Sequence, residues 1–174
     1  NLGGKFDFTI QLNDRHELKT GFSFRKDNLE ERNISLIVIS DKKPELSDSF
    51  EYILWAYYTF PKTILKGDFC IAPRQTNNSY DLGHSHYKIG VFLACGIPAL
   101  APPLPSYLEV IGKTKGGKIC ESSSEWASAL DGIIENPRSL WEWSQQAKKG
   151  MEAYSTENVI QQYVKLFQQL LDSK

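Results

Sequence analysis

The feature that most constrains the fold is a series of short apolar runs that alternate with helical patterns. Ile34 to Ile39, Phe69 to Ala72 and Ala99 to Ala101 are continuous runs of apolar or small residues. Runs of this kind are typical of strands buried on both faces. Tyr87 to Cys95 is an apolar helical segment that Gly96 ends. The alternation predicts an α/β fold: a Rossmann-like, doubly wound parallel sheet with helices on both faces.

The rest of the chain predicts further elements of the same architecture. Additional strands are predicted at Phe6 to Leu12, Phe50 to Leu54 and Lys118 to Cys120, and short helices at 60–65 and 104–111. Ser122 and Glu125 have capping-box spacing, so a helix should begin there and run to about Glu135. The polar segment 74–83 has few large apolar residues, and we expect an exposed loop there.

Two apolar stripes mark the C-terminal part of the sequence. The first contains Leu140, Trp143, Ala147, Met151 and Tyr154, and the second contains Val159, Tyr163, Leu166 and Leu170. Asn136-Pro137 is typical of a helix start. We therefore expect residues 137–174 to form a closing pair of helices. The prediction is one domain over residues 1–174, in which 1–33 are poorly assigned.

Composition limits the classes of partner and compartment. Twenty basic and 21 acidic side chains give a formal net charge of -1, which removes the electrostatic reason to expect nucleic-acid binding. No apolar run is long enough for a transmembrane segment, so we expect neither a membrane span nor a signal peptide within these residues. The three cysteines, Cys70, Cys95 and Cys120, lie in apolar surroundings. They favour free, buried thiols and a cytoplasmic location.

The segment from Arg74 to Lys88 is the candidate ligand site. It lies between a predicted strand end and a predicted helix start, where open parallel sheets bind ligands. A helix N-terminus there suits phosphate. The residues that crowd this terminus are Gly83, His84, Ser85, His86 and Lys88. The same residues are also compatible with an ordinary helix cap and a surface lysine.

Other site types have less support. His84-x-His86 has no third histidine near it and Asp81 is its only ready carboxylate, so we predict no metal and no cofactor. Glycine motifs of dehydrogenases and NTPases and the Gly-x-Ser-x-Gly elbow of α/β-hydrolases are absent. The tryptophans near the C-terminus are interpreted as packing residues, whereas Trp55 fits either packing or ligand contact. These are Trp126, Trp141 and Trp143.

Five segments carry a family resemblance. Residues 88–101, KIGVFLACGIPALA, present a basic residue, an apolar helix, Ala-x-Gly-x-Pro and a small apolar strand. Before this stretch stands Trp55 followed by LKGDFCIAP (65–73). After it come PSYLEVI (105–111), GGKIC (116–120) and the closing helices 125–171, so the five segments stand in the order of the family pattern. Together they resemble the C-terminal domain of bacterial GT-B glycosyltransferases over about Ser35 to Leu171.

The resemblance implies a function and a set of roles. The chain would bind a nucleotide-diphosphate sugar for transfer to an acceptor held by a missing N-terminal domain, in polysaccharide or glycan biosynthesis. The loop and helix start before Ala-x-Gly-x-Pro would bind the donor, with Lys88 at the family's basic position. Tyr107 and Glu109 would lie along the same cleft, with Glu109 near ribose or sugar hydroxyls. No catalytic residue is identified, and membrane association would come only through the missing half.

The sequence also departs from the family pattern. Gly83 and Val91 occupy the positions where many retaining members have glutamates. The basic pair that many members place after the first strands is represented at best by Arg25 and Lys26, and Arg74 is a further candidate donor contact. Two alternatives therefore stay open: a nucleotide-sugar 2-epimerase of the same architecture, or a non-catalytic nucleotide-sugar-binding or scaffolding domain.

Overall fold

Six parallel strands form one sheet. A computed structural model gives the structure of residues 6–11, 34–46, 49–74 and 76–173. The strands are β1 (Phe6–Gln11), β2 (Ile34–Ser40), β3 (Glu51–Leu54), β4 (Phe69–Ile71), β5 (Ala99–Ala101) and β6 (Gly117–Ile119). Their order in space is β3-β2-β1-β4-β5-β6, and every pair is parallel. The predicted Rossmann-like, doubly wound sheet is confirmed.

Seven α-helices are described in addition to the strands. They are α1 (Phe60–Thr63), α2 (Ser79–Leu82), α3 (Tyr87–Ala94), α4 (Pro105–Thr114), α5 (Ser123–Glu135), α6 (Arg138–Met151) and α7 (Thr156–Asp172). Short 3-10 turns, Ile64–Lys66 and Glu152–Tyr154, follow α1 and α6. The predicted capping box is present, since Ser122 Oγ accepts from the Glu125 amide at 3.3 Å and Glu125 accepts from the Ser122 amide. No described helix is both long and apolar enough to cross a membrane.

Two hydrophobic clusters lie on opposite faces of the sheet. Alternate residues of β2 divide between them: Ile37 and Ile39 belong to the first cluster, and Leu36 and Val38 to the second. The first cluster includes buried residues of α1, α3 and α4, and the second is built mainly on α5. Period-2 alternation sends successive side chains to opposite faces, so an apolar run such as 36–39 requires cover on both sides.

Two glycine positions follow from close packing. Gly96 follows the end of α3 and has a φ of +77°. Glycine adopts this left-handed conformation without steric cost, which agrees with its predicted role in ending the helix. A Cβ atom at Gly117 would lie 2.0 Å from the carbonyl oxygen of Ala99 on the neighbouring strand. The Gly-Gly pair at the start of β6 therefore lets β5 and β6 pair.

Three sequence predictions differ from the structure. The segment predicted as an exposed loop, 74–83, contains α2 and the buried carboxyl group of Asp81. Trp141, interpreted as a packing residue, is 63% exposed. The last helix, α7, has no buried residue, so its predicted apolar stripe is not covered by the described part of the chain.

Candidate anion-binding site

A small cleft opens beyond the carboxyl end of β4. It is lined on one side by the residues that follow this strand, including Pro73 and Arg74, and on the other by Lys88 and Phe92 of α3. The sheet order reverses between β1 and β4. In doubly wound sheets such a reversal leaves a crevice in which ligands bind. The cleft therefore lies where the topology predicts a site.

Arg74, which lines the cleft, belongs to a buried ion pair. Arg74 donates to Asp81 at 2.8 Å, and both side chains are only 3% exposed. The second carboxylate oxygen of Asp81 accepts from Asn78 Nδ2 at 2.7 Å. Asn78 also caps α2, because its side chain accepts from the Asp81 amide at 2.8 Å. The short helix α2 thus fixes Asp81, and through it the guanidinium group of Arg74.

Lys88 brings a second cation to the same place from the first turn of α3. Its pKa is lowered to about 8, chiefly by burial and next by the positive charge of Arg74. The negative charge of Asp81 raises the pKa and so opposes part of this shift. Two cations and one carboxylate leave one excess positive charge. The amide groups of the first turn of α3 add the positive end of the helix dipole. The arrangement can accept an anion, which would replace the solvation that Lys88 has lost.

The loop between α2 and α3 is held at Gly83 and His84. Ser106 Oγ donates to the carbonyl oxygen of His84 at 2.6 Å, which joins the loop to α4. The His84 ring contacts Tyr80 edge to face, with centroids 4.7 Å apart. Gly83 caps the end of α2, and a Cβ atom there would lie 3.3 Å from the Ser79 carbonyl oxygen. Ser85 is exposed. These loop residues precede α3 in the chain, and Gly83, His84 and Ser85 are not among the residues that line the cleft.

His86 and Glu109 belong to a separate cluster beside the start of α3, and neither residue lines the cleft. His86 is the N-cap residue of α3, and its ring centroid is 4.8 Å from that of Tyr154. Lys113 lies 5.7 Å from the Tyr154 ring centroid and donates to Glu109 at 2.6 Å. The hydrogen bond from Lys113 is the largest cause of the lowered pKa of Glu109. Glu109 is thus engaged in an exposed ion pair along α4.

Tyr107 is fully buried and interacts with Arg74. Burial raises the pKa of its hydroxyl group, and the positive charge of Arg74 opposes that effect. We therefore interpret Tyr107 as a buried neighbour that helps to position Arg74, and it does not line the cleft. Arg74, which the sequence offered only as a further candidate, is the residue that the structure places beside Lys88. The spacing of Asn78 and Asp81, that of a helix N-cap and its third residue, was the available sequence signal.

The remaining candidates are less directly connected to the cleft. Arg25 and Lys26 lie outside the described residues. Within the described ranges, no group of three or more His, Cys, Asp or Glu side chains is placed to hold a metal ion. All three cysteines are free, with Cys70 and Cys120 buried and Cys95 half-buried. Burial raises the pKa of all three thiols, that of Cys120 to about 11.

The fold is similar to that of solved glycosyltransferases. No protein-family model and no curated protein matches the sequence. WaaG, a glycosyltransferase involved in lipopolysaccharide biosynthesis, matches with a TM-score of 0.58 and 12% identity over 85% of this chain and 43% of WaaG. Sucrose-phosphate synthase from Thermosynechococcus elongatus matches with a TM-score of 0.59 and 13% identity over 97% of this chain and 46% of the synthase. The chain spans less than half the length of either protein.

One solved structure matches the chain over most of both lengths. The C-terminal CMP-Kdo binding domain of WaaA from Acinetobacter baumannii has a TM-score of 0.58 and 12% identity, and the match covers 84% of this chain and 89% of that domain. At such identities the likeness establishes the fold alone. That fold is the Rossmann-like C-terminal half of the GT-B architecture.

Proposed function

We propose that this chain is the donor-binding half of a glycosyltransferase and holds a nucleotide-diphosphate sugar. The observation that carries the proposal is the meeting of Arg74 and Lys88 at the N-terminus of α3. This position lies beside the reversal of strand order, where doubly wound sheets bind nucleotides. The glycosyltransferase fold of the neighbours supports the same assignment.

The two cations would act on the phosphate groups of the donor. When a glycosyl group leaves a nucleotide diphosphate, negative charge develops on the departing phosphate oxygens. Positive groups that are fixed before the reaction stabilise such charge without reorganisation. Arg74 is fixed by Asp81, and Lys88 by the first turn of α3. The chain would therefore contribute both donor binding and stabilisation of the leaving group.

The acceptor would be held by a separate N-terminal domain of the same protein. The chain covers less than half of the solved transferases WaaG and sucrose-phosphate synthase. Within the described cleft, the carboxylate of Asp81 already binds Arg74 and Asn78 through its two oxygens, so it is a poor candidate for a catalytic base. A second domain would supply the base and exclude water from the cleft.

Titration calorimetry on the 174-residue chain tests the proposal. UDP and GDP should each bind more tightly than uridine and guanosine, because the additional contacts are made by phosphate. CMP is the third nucleotide, since the matched domain of WaaA binds a CMP-linked sugar. If CMP binds more tightly than UDP and GDP, the proposed donor would be a sugar linked to a nucleoside monophosphate and not to a diphosphate. Equal affinity for nucleotides and nucleosides would refute the phosphate site.

A non-catalytic nucleotide-sugar-binding domain is the second candidate. The engagement of Asp81 in a buried ion pair favours it, because this carboxylate beside Arg74 and Lys88 is already occupied. It predicts the same nucleotide affinities as the transferase. The non-catalytic candidate differs in one prediction. A polypeptide that also contains the proposed N-terminal domain would show no turnover when donor and a panel of acceptors are supplied. Any donor-dependent glycosylated product would decide for the transferase.

A further inference from the structure

Asp81 brings a negative charge to a site that we propose binds anions. Its side chain is 3% exposed and is paired with Arg74, one of the two cations that line the cleft. The charge of Asp81 also acts on Lys88, the other cation. A carboxylate beside both cations repels any phosphate that they bind. Asp81 therefore reduces the affinity that the two cations alone would give.

The carboxylate of Asp81 is held in place by hydrogen bonds on both of its oxygens. One oxygen accepts from Arg74 Nη1 at 2.8 Å, and the other accepts from Asn78 Nδ2 at 2.7 Å. Asn78 Oδ1 in turn accepts from the Asp81 amide at 2.8 Å, which fixes the backbone of the same residue. Because the carboxylate is buried, water and salt screen its charge less than they would at the surface. Its negative charge is therefore a permanent component of the electrostatics of the cleft.

The net charge at the cleft matches a ligand phosphate that carries one negative charge. Arg74 and Lys88 contribute two positive charges, and Asp81 offsets one of them. The residues described as lining the cleft include no further cation. A phosphate esterified on two sides carries one negative charge, whereas a terminal phosphate carries close to two at pH 7, because its second pKa is about 6. The second charge of a terminal phosphate therefore gains little from this cleft.

This difference in charge separates the intact donor from the product of transfer. In a nucleotide-diphosphate sugar both phosphates are esterified on two sides. On transfer, the bond between the sugar carbon and the phosphate oxygen breaks, and its electron pair stays on that oxygen. The sugar carbon bonds to the acceptor oxygen, whose proton passes to a base. The terminal phosphate of the leaving diphosphate then carries one more negative charge than it did in the donor.

We infer that Asp81 is a specificity-determining residue, which prevents the site from holding the diphosphate product more tightly than the intact donor. The inference rests on the proposed function for the identity of the donor. Arg74 and Lys88 attract both ligands, and the fixed charge of Asp81 cancels the additional affinity that the extra charge would give the product. The product is thus released more readily than two uncompensated cations would allow.

A pair of ligands that differ by this one charge tests the inference. UDP ends in a free phosphate, and in its β-methyl ester the same phosphate is blocked by a methyl group; GDP and its ester form a second pair. Calorimetry at pH 7 without divalent cations compares them on the 174-residue chain. We expect the unsubstituted chain to bind ester and diphosphate within about threefold of each other. Asp81→Asn, with its fold checked by circular dichroism, should bind the diphosphate at least about tenfold more tightly than the ester.

Asn78→Ala is the control for a purely structural effect. It removes the hydrogen bond to the second carboxylate oxygen and the side-chain cap of α2, and it keeps the negative charge of Asp81. This protein should therefore lose stability in urea titrations while it keeps the ratio of affinities shown by the unsubstituted chain.

Three results would overturn the inference. The first is a diphosphate affinity of the unsubstituted chain that exceeds the ester affinity by more than about threefold, and this measurement does not require a substituted protein. The second is an unchanged ratio in folded Asp81→Asn, and the third is an equal change of the ratio in Asn78→Ala. Failure of the proposed function is distinguishable, because UDP and GDP would then bind no more tightly than uridine and guanosine to any of these proteins.

Discussion

The Lys88 ammonium group gives anion binding at this site a specific dependence on pH. The pKa of Lys88 is lowered to about 8 in the ligand-free protein, first by burial and then by the charge of Arg74. A bound diphosphate would raise that pKa, because an adjacent negative charge favours the ammonium form. The contribution of Lys88 to affinity should therefore be constant well below pH 8 and should fall as the pH rises through 8.

The expected magnitude follows from the pKa. With a value near 8, the protonated fraction of Lys88 falls from about 0.9 at pH 7 to about 0.1 at pH 9. The affinity for UDP or GDP should then decrease about tenfold over this interval, which corresponds to about 1.4 kcal/mol. The ligand itself does not contribute to the change, since the second ionisation of phosphate has a pKa of about 6.

Titration calorimetry at pH 7, 8 and 9 measures this effect, and two substitutions calibrate it. Lys88→Arg keeps its charge throughout and should show little change in affinity between pH 7 and 9. Lys88→Ala should bind more weakly at pH 7, by about 1–3 kcal/mol, with little further dependence on pH. At pH 9, titrations of the unsubstituted chain in buffers of different ionisation enthalpy should show uptake of close to one proton.

Two results would refute this reasoning. Equal affinities of the unsubstituted chain at pH 7 and pH 9 would mean that Lys88 is not the group that holds the phosphate. An equally large decrease in the Lys88→Arg protein would mean that another group titrates. In either case Lys88 would be only a partly buried residue of α3.

Three further predictions concern stability and reactivity. Asp81→Asn should lower the free energy of unfolding by about 3–5 kcal/mol in urea titrations, because Arg74 loses its buried counter-charge; an unchanged urea midpoint would contradict the buried ion pair. Gly117→Ala should destabilise by about 3 kcal/mol through overpacking against β5, whereas the control Gly112→Ala, with no atom within 4 Å of the added Cβ, should not; equal midpoints would refute the close approach. Cys120 should react with a maleimide only after denaturation, since its thiol is buried and its pKa is raised to about 11; rapid labelling of the native protein would contradict its burial.

The sheet was predictable because its signal is local and repeated. Each buried strand is a short apolar run, and Gly96 and the Ser122 capping box mark helix ends by conformational and hydrogen-bonding requirements that a few adjacent residues express. The anion site was predictable only in part. Its expected position followed from topology, and Lys88 from the helix start and the family pattern. Arg74 was only a weaker candidate, and its buried ion pair with Asp81 was not predicted.

The features that were predicted wrongly depend on contacts that periodicity does not report. Helix α2 has four residues, too few for a recognisable period, and the burial of Asp81 depends on Arg74 being carried beneath it from the end of β4. Trp141 and Trp143 are two positions apart on α6, so they point to different faces and only one can pack inward. The stripe of α7 shows that one face is apolar, and it does not show what covers that face.

Helix α6 touches both hydrophobic clusters and so affects how the chain folds during synthesis. Leu140 belongs to the cluster on one face of the sheet and Ala147 to the cluster on the other. In a nascent chain the second cluster lacks a member until Leu140 has left the ribosome, and the first cluster lacks one until Ala147 has. Domains fold as units as they emerge, at synthesis rates of about 5–20 residues per second. We expect chains truncated before residue 147 to be bound by chaperones. Chains that include all of α6 should resist proteases even when α7 is missing.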